Sequence, residues 1–277
     1  MILKDNYFIN VIGKRKDIRA GTGIIVFFII VAIIGVIHPP YNPVASVGPN
    51  YLPPSLQFLF GTTSVGQDVF SQWMFGASSS LLVGFLAAIM TMSIGVLVGI
   101  ISGFVRYMDE PLMRLTDVIL TLPALPLLIV LAAFVQPSLF TVAALIALLA
   151  WAGTARVIRS GTLALREMPY VELALISGVP KIRIMFVDLL KHLLPLILAY
   201  SLFAIVGAIL TEASLDFIGV GPISDYSWGA IIAIANQNNA IFNGAWWWLI
   251  PPGLSIAMLS TGFALAAYGL EHSFKTA

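Results

Sequence analysis

The sequence predicts an all-α, polytopic membrane protein with six transmembrane helices. Of its 277 residues, 59% are hydrophobic and only 10% are charged, against about 25% charge in a soluble domain. The mean hydropathy is +0.98, and polar side chains are too few to cover a globular surface. Six stretches approach the ~20 apolar residues that a helix needs to cross a bilayer. Every Lys and Arg falls in a segment that these stretches place on one side of the membrane.

Residues 1–19 are polar and basic, and the apolar run after them is long and lacks a small-residue cleavage pattern. That run is read as a retained first span, residues 20–37. The Pro-rich stretch "HPPYNPVASVGPNYLPPS" follows and is read as an irregular connecting loop. The second span covers residues 79–104. The third covers 117–135 and carries Pro123 and Pro126, the fourth 139–155, the fifth 193–211 with Pro195 near its start, and the sixth 249–270 with Pro251 and Pro252. Prolines in spans are tolerated where neighbours or water satisfy the freed carbonyls, so a packed bundle is expected.

The charges orient the bundle. Lys4, Lys14, Arg15, Lys16 and Arg19 precede the first span, and Arg106 and Arg114 follow the second. Arg156, Arg159, Arg166, Lys181, Arg183 and Lys191 lie between the fourth and fifth, and Lys275 follows the sixth. These are all 14 basic residues. The positive-inside rule then places both termini in the cytoplasm. Trp246, Trp247 and Trp248 open the sixth span, where they read as an interfacial aromatic belt or, alternatively, as a sugar-stacking surface.

Residues 169–191 are unusual for a cytoplasmic segment. Pro169 suits the first turn of a helix, and "PYVELALIS" follows. Gly178 suits a left-handed C-terminal position, and Pro180 can start a second helix. Val171, Ala174 and Leu175 share a face that Leu173 and Ile176 widen. An eight- or nine-residue helix this apolar needs a cover. Its own bundle or a groove on a partner protein would serve.

Several chemistries are excluded or unsupported. Cysteine is absent, so disulfides and thiolate metal sites are excluded. A net charge of +1 gives no reason to expect nucleic acid. No G-x-x-x-x-G-K-[ST] loop is present, and "GKRK" near the N-terminus lacks the loop glycine and the Ser/Thr. His38, His192 and His272 sit in distant segments, and no serine occupies a G-x-S-x-G elbow. No metal, cofactor or catalytic residue is expected. Gly84, Ala87, Ala88, Gly95, Gly99 and Gly103 in the second span suit close helix packing. Glu212 and Asp216 fall just past the fifth span, where a pathway or gate role competes with a structural one.

Glu172-Leu173-Ala174, followed by Gly178, resembles the EAA motif of permease subunits in ABC importers, Glu-Ala-Ala, three residues, then Gly. The chain departs at Leu173 and at Lys191, where the motif's closing proline would align; Pro195 comes later. "FGTTSVGQDVFSQWMFGASSSLLVG" is similar to a signature of the second permease of dipeptide, oligopeptide and nickel importers. Gly61, Thr62, Gly66, Asp68, Val69, Phe70, Ser71, Gly76, Ala77 and Leu81 match, while Thr63, Gln67 and Ser78 replace an Asp and two Arg. "DEPLMRLTDVILTLP" and "TEASLDFIGVG", then "SWG", are also similar, with Asp216 where Ser is commoner. The resemblance spans residues 58–271. It implies a type I ABC importer permease core over residues 76–277, with a coupling helix near 169–180 that includes Glu172, Ala174 and Gly178. Residues 1–75 would add a cytoplasmic segment, the first span and an extracytoplasmic loop. Implied partners are a homologous second permease, two ATP-binding subunits and an extracytoplasmic solute-binding protein. Implied substrates are peptides, nickel or oligosaccharides. A self-contained secondary transporter or channel is the rival. It would need a polar or charged residue at mid-span and discontinuous helices in both halves.

Overall fold

The computed structural model describes residues 15–221 and 226–275. The expected placements of Lys4, Lys14, Met1 and Ala277 lie outside the described residues. Within them the chain is helical, with two isolated β-bridges and no strand.

α1 is Lys16–Ile37 and α2 is Val69–Phe104. α2 starts ten residues before the predicted span because Asp68 caps it. The Asp68 carboxylate accepts the Ser71 backbone N–H at 2.8 Å and the Ser71 hydroxyl at 2.6 Å. The matched Gly-Thr…Gly-x-Asp-Val-Phe-Ser stretch is thus a loop-to-helix junction. The 38–68 segment is irregular, as expected, but tightly organised. Thr62 Oγ1 donates to the Pro49 carbonyl and accepts the Leu52 N–H, and Trp247 Nε1 donates to the Thr62 carbonyl. Tyr51 Oη and Ser64 Oγ bond Asn238. Trp247 and Trp248 are buried and only Trp246 is exposed, so an aromatic belt or a stacking surface has one Trp of the three.

The predicted third span is a bent pair. α3 (Arg106–Thr121) and α4 (Ala124–Ala132) meet at 85°. Leu122 precedes Pro123 and is forced to an extended backbone, φ −74° and ψ 136°. α5 (Leu139–Arg166) opens on a capping box between Ser138 and Thr141 and continues 11 residues past the predicted end. Its added turns carry Arg159, which makes a bidentate pair with Asp109, and Arg156, which pairs with Asp117. Both acids stand on α3.

The helix α6 is Pro169–Ile176. A turn of helix, Lys181–Arg183, and a π-helix, Ile184–Leu189, lead into α7, Leu190–Phe217. The fifth traverse is therefore a 37-residue run, longer at both ends than predicted. α8 is Trp228–Gln237, and a 3-10 turn at Trp246–Trp248 precedes α9, Ile250–Lys275.

Packing gives the directions. Gly95, Gly99 and Gly103 of α2 lie against Thr154, Ile158 and Thr162 of α5 in the same order, so these helices run parallel. A return traverse must connect them, and α3 with α4 supplies it. Asp109 sits beside Arg159 near one end of α5, while Leu128 packs among Val142, Ala143 and Ile146 near the other. Five helices are long and apolar enough to cross a membrane, and the bent pair brings the count to six. α7 is antiparallel to α5, with Gly161 over Leu193 and Leu215 near Val142. α1 and α9 are antiparallel, with Arg15 Nη1 donating to the Gly269 carbonyl at 3.1 Å.

One face thus collects the start of α1, the ends of α2 and α5, all of α6, the start of α7 and the end of α9. Toward this face lie the described basic residues. The 38–68 cap and α8 form the opposite face. Phe27, Ile30, Ile33, Leu82, Ile89, Leu97, Leu254 and Met258 are exposed around the perimeter, as lipid-facing side chains are.

Candidate functional site

On the basic face, α6 begins with Pro169 at its first turn and ends at a Schellman motif. The Val179 N–H bonds the Ala174 carbonyl at 3.0 Å, and the Gly178 N–H bonds the Leu175 carbonyl at 3.1 Å. Gly178 holds φ +76°, with nothing within 4 Å of where a Cβ would stand. Pro180 then starts the lead-in to α7. This helix, glycine turn and second helix match the sequence reading of the segment.

The apolar residues of α6 divide between two surfaces. Val171 is fully buried among Ile100, Ile158, Ile184 and Leu189, and Ala174 packs beside them. Tyr170 stacks on His192 with ring centroids 5.1 Å apart. Burial pushes the Tyr170 phenol up, and the nearby Asp188 carboxylate adds to the shift. Leu175, expected from spacing to share a face with Val171 and Ala174, lies at the rim and is exposed. Met168, Leu173, Ile176 and Ile182 are exposed, Leu173 and Ile176 at 64% and 77%, and Glu172 is exposed among them. The bundle's own core therefore covers one side of α6 and leaves an apolar side free. Glu172, Ala174 and Gly178 lie on this one element and divide its surfaces. Glu172 faces out, Ala174 faces in, and Gly178 sets the angle of the turn.

On the opposite face, Glu212 and Asp216 are not past the end of the fifth traverse. α7 runs on to Phe217, and both carboxylates are buried in its last turns, at 1% and 4% exposure. Ser80 Oγ of α2 donates to Glu212 Oε2 at 3.3 Å and accepts the Trp228 N–H at 3.3 Å. Ser227 Oγ donates to Asp216 Oδ2 and accepts the Ala230 N–H at 3.1 Å as the N-cap of α8. Two hydroxyls thus relay the free N–H groups at the start of α8 to two carboxylates of α7. Trp228 Nε1 bonds the Trp73 carbonyl at 2.9 Å and holds α8 against α2. Asp216 Oδ1 has no partner among the described residues. Asp216 also lines a cavity of about 130 Å3 with Gly219, Gly221, Ala230, Ala233, Ile234 and Gln237. Sequence reasoning missed Ser80 and Ser227. Their only signal was position, Ser227 at the head of "SWG" and Ser80 inside a run of three serines.

The family described as binding-protein-dependent transport system inner membrane component matches residues 95–274. The chain belongs to this family. The dipeptide transport system permease protein DppC of Bacillus subtilis (strain 168) is 32% identical over 262 residues, covering 93% of this chain and 81% of that protein. The probable D,D-dipeptide transport system permease protein DdpC of Escherichia coli (strain K12) is 34% identical over 222 residues, covering 79% and 74%. The chain is a multi-pass membrane permease component of an ABC importer and not an enzyme. A self-contained secondary transporter is not favoured.

Proposed function

We propose that this permease forms half of a translocation pathway for peptides and that α6 passes the ATPase stroke to it. The exposed apolar side of α6, Leu173 and Ile176 around Glu172, carries the proposal. Such a patch on a polar face is a protein contact. The peptide class is supported by the names of the relatives, which share most of this chain's length. Nickel and oligosaccharides are the other cargoes of similar importers. The partners are a homologous second permease, two ATP-binding subunits and an extracytoplasmic solute-binding protein. Residues 76–277 are the transporter domain in this reading, and residues 1–75 add the first span and its cap. The assembled complex, reconstituted with its binding protein, is expected to take up a radiolabelled dipeptide only when ATP is supplied. Uptake by this chain alone would sink the proposal.

The basic face is cytoplasmic in this reading, and both termini lie there. Because the chain has no cysteine, single introduced cysteines report sidedness without background. Asn50→Cys is expected to react with a membrane-impermeant maleimide in intact cells, and Ser177→Cys only after the membrane is opened. The reverse pattern would turn the topology over.

The carboxylate cluster supports a second proposal, a gate on the outer face. α8 is tied to α7 through Ser227 and to α2 through Ser80, so releasing these ties frees a short helix beside the cavity. Leaving a buried polar group without its hydrogen-bond partner costs about 1–3 kcal/mol. Ser227→Ala is therefore expected to raise ATP hydrolysis in the absence of binding protein severalfold, by favouring the open state. Unchanged basal hydrolysis with lowered thermal stability would leave the cluster a structural one.

A further inference from the structure

A second cavity, of about 250 Å3, lies on the basic face where five elements meet. Phe104 and Val105 at the end of α2 form its wall with Leu175 of α6. Arg106 and Tyr107 come from the start of α3, Arg166 from the end of α5, and Lys181 from the lead-in to α7. Three cations from three separate elements thus surround one space large enough for about eight water molecules. None of the three is in an ion pair among the described residues. Asp109 is held bidentately by Arg159, and its charge also reaches Arg166 without forming an ion pair with it. Arg166 is steadied by the Gly103 carbonyl at 3.4 Å, which leaves most of its guanidinium N–H groups free.

Gathering three unpaired cations around one concavity costs Coulomb energy that an anion would relieve. The wall limits which anion. Phe104 ends a membrane-crossing helix, and Val105, Tyr107 and Leu175 continue an apolar surface from it. We propose that this cavity binds a phosphate-bearing anion, the headgroup of an anionic phospholipid, with an acyl chain along the Phe104–Leu175 wall. Basic pockets between helices at the cytoplasmic boundary suit such headgroups. The lipid would bridge α2, α3 and α5 to the turn that follows α6. The inference goes beyond the peptide-permease reading and does not need it. A permease without this lipid, or a lipid site on a chain that moves some other cargo, would each be recognised separately.

The test is native mass spectrometry of the full-length chain with its co-purifying subunits, released from nanodiscs of phosphatidylglycerol or phosphatidylcholine. The wild-type chain is expected to retain about one phosphatidylglycerol that the triple variant Arg106→Gln/Arg166→Gln/Lys181→Gln loses, and to retain no phosphatidylcholine in its place. Each charge contributes roughly fivefold in affinity, so the triple variant should bind about a hundredfold more weakly. Arg183→Gln changes a basic residue of the same segment outside the cavity and is expected to behave as wild type. Arg106 and Lys181 are exposed, so their double replacement serves if the triple variant does not fold. Inorganic phosphate, added without phosphatidylglycerol, tests the other source. Its capture by wild type and not by the variants keeps the phosphate site but makes the ligand a free anion. Equal phosphatidylglycerol retention by wild type and variants overturns the proposal. So does an equal loss in Arg183→Gln, which would reduce the effect to net charge, or recovery of an acidic partner segment in place of lipid.

Discussion

Ile176→Asp is expected to abolish ATP-driven uptake by the assembled transporter while the chain still inserts at wild-type levels. Ile176 is 77% exposed, and Leu173 beside it is 64% exposed. Surface substitutions of this kind change folding stability by only about 0.5 kcal/mol either way. If the patch is docked in a partner, the same change removes about 1.5–3 kcal/mol of apolar burial and buries an unpaired carboxylate as well. Gly178→Val attacks the same contact through the backbone. Nothing obstructs a Cβ there, so the cost comes only from holding a β-branched residue at φ +76°. The turn relaxes, and α6 meets its partner at the wrong angle. Glu172→Lys reverses the one full charge on the exposed side. Co-purification of the ATP-binding subunits and binding-protein-stimulated hydrolysis measure all three. Normal stimulation and uptake in Ile176→Asp at normal expression would remove α6 from the coupling path. If α6 only packs on its own bundle, Gly178→Val should lower expression and Ile176→Asp should do nothing.

What could be read from the sequence was local. Hydropathy located each traverse, and the alternation of charge gathered the basic residues on one face. The turn at Gly178 was readable because a positive φ leaves its mark in residue type. What could not be read depended on partners far along the chain. α5 continues past its apolar stretch because Asp109 and Asp117, some 40 to 50 residues earlier, neutralise Arg159 and Arg156. α7 continues past residue 211 because Ser80 and Ser227 receive Glu212 and Asp216. Hydropathy counts such residues against a helix and has no means of seeing the group that satisfies them. Pro123 and Pro126 marked the third span as irregular, but periodicity gives no bend angle, so the 85° break was not legible in it. Trp247 and Trp248 looked interfacial because they open a span, whereas the 38–68 cap bonds Trp247 through the Thr62 carbonyl and both rings lie in the core.

Gly99→Val is expected to prevent the chain from accumulating in the membrane at all. The small residues of α2 form one row, Gly95, Gly99 and Gly103, four residues apart, and that row is the seam with α5. A Cβ at Gly99 would stand 2.7 Å from the Ala155 carbonyl oxygen and 2.7 Å from Ile158 Cβ. One neighbour is backbone and the other is a branched side chain at 0% exposure, so neither can swing away. In lipid the hydrophobic effect does not hold helices together, and close packing does much of that work. Overpacking a well-filled interior costs typically 1–3 kcal/mol. Two more methyl groups against a carbonyl place this case at about 3 kcal/mol or more. The pair is parallel, so separating α2 from α5 also strains the bent α3–α4 return between them and the Asp109–Arg159 pair that anchors it. Gly153→Val is the internal control. It lies on α5 with nothing within 4 Å of a Cβ, so it adds the same side chain to a free surface. Fluorescence-detected size exclusion of tagged variants compares the two directly. Gly99→Val should be lost or aggregated and Gly153→Val recovered as a single peak. Equal recovery would mean that the α2–α5 seam is looser than this packing requires.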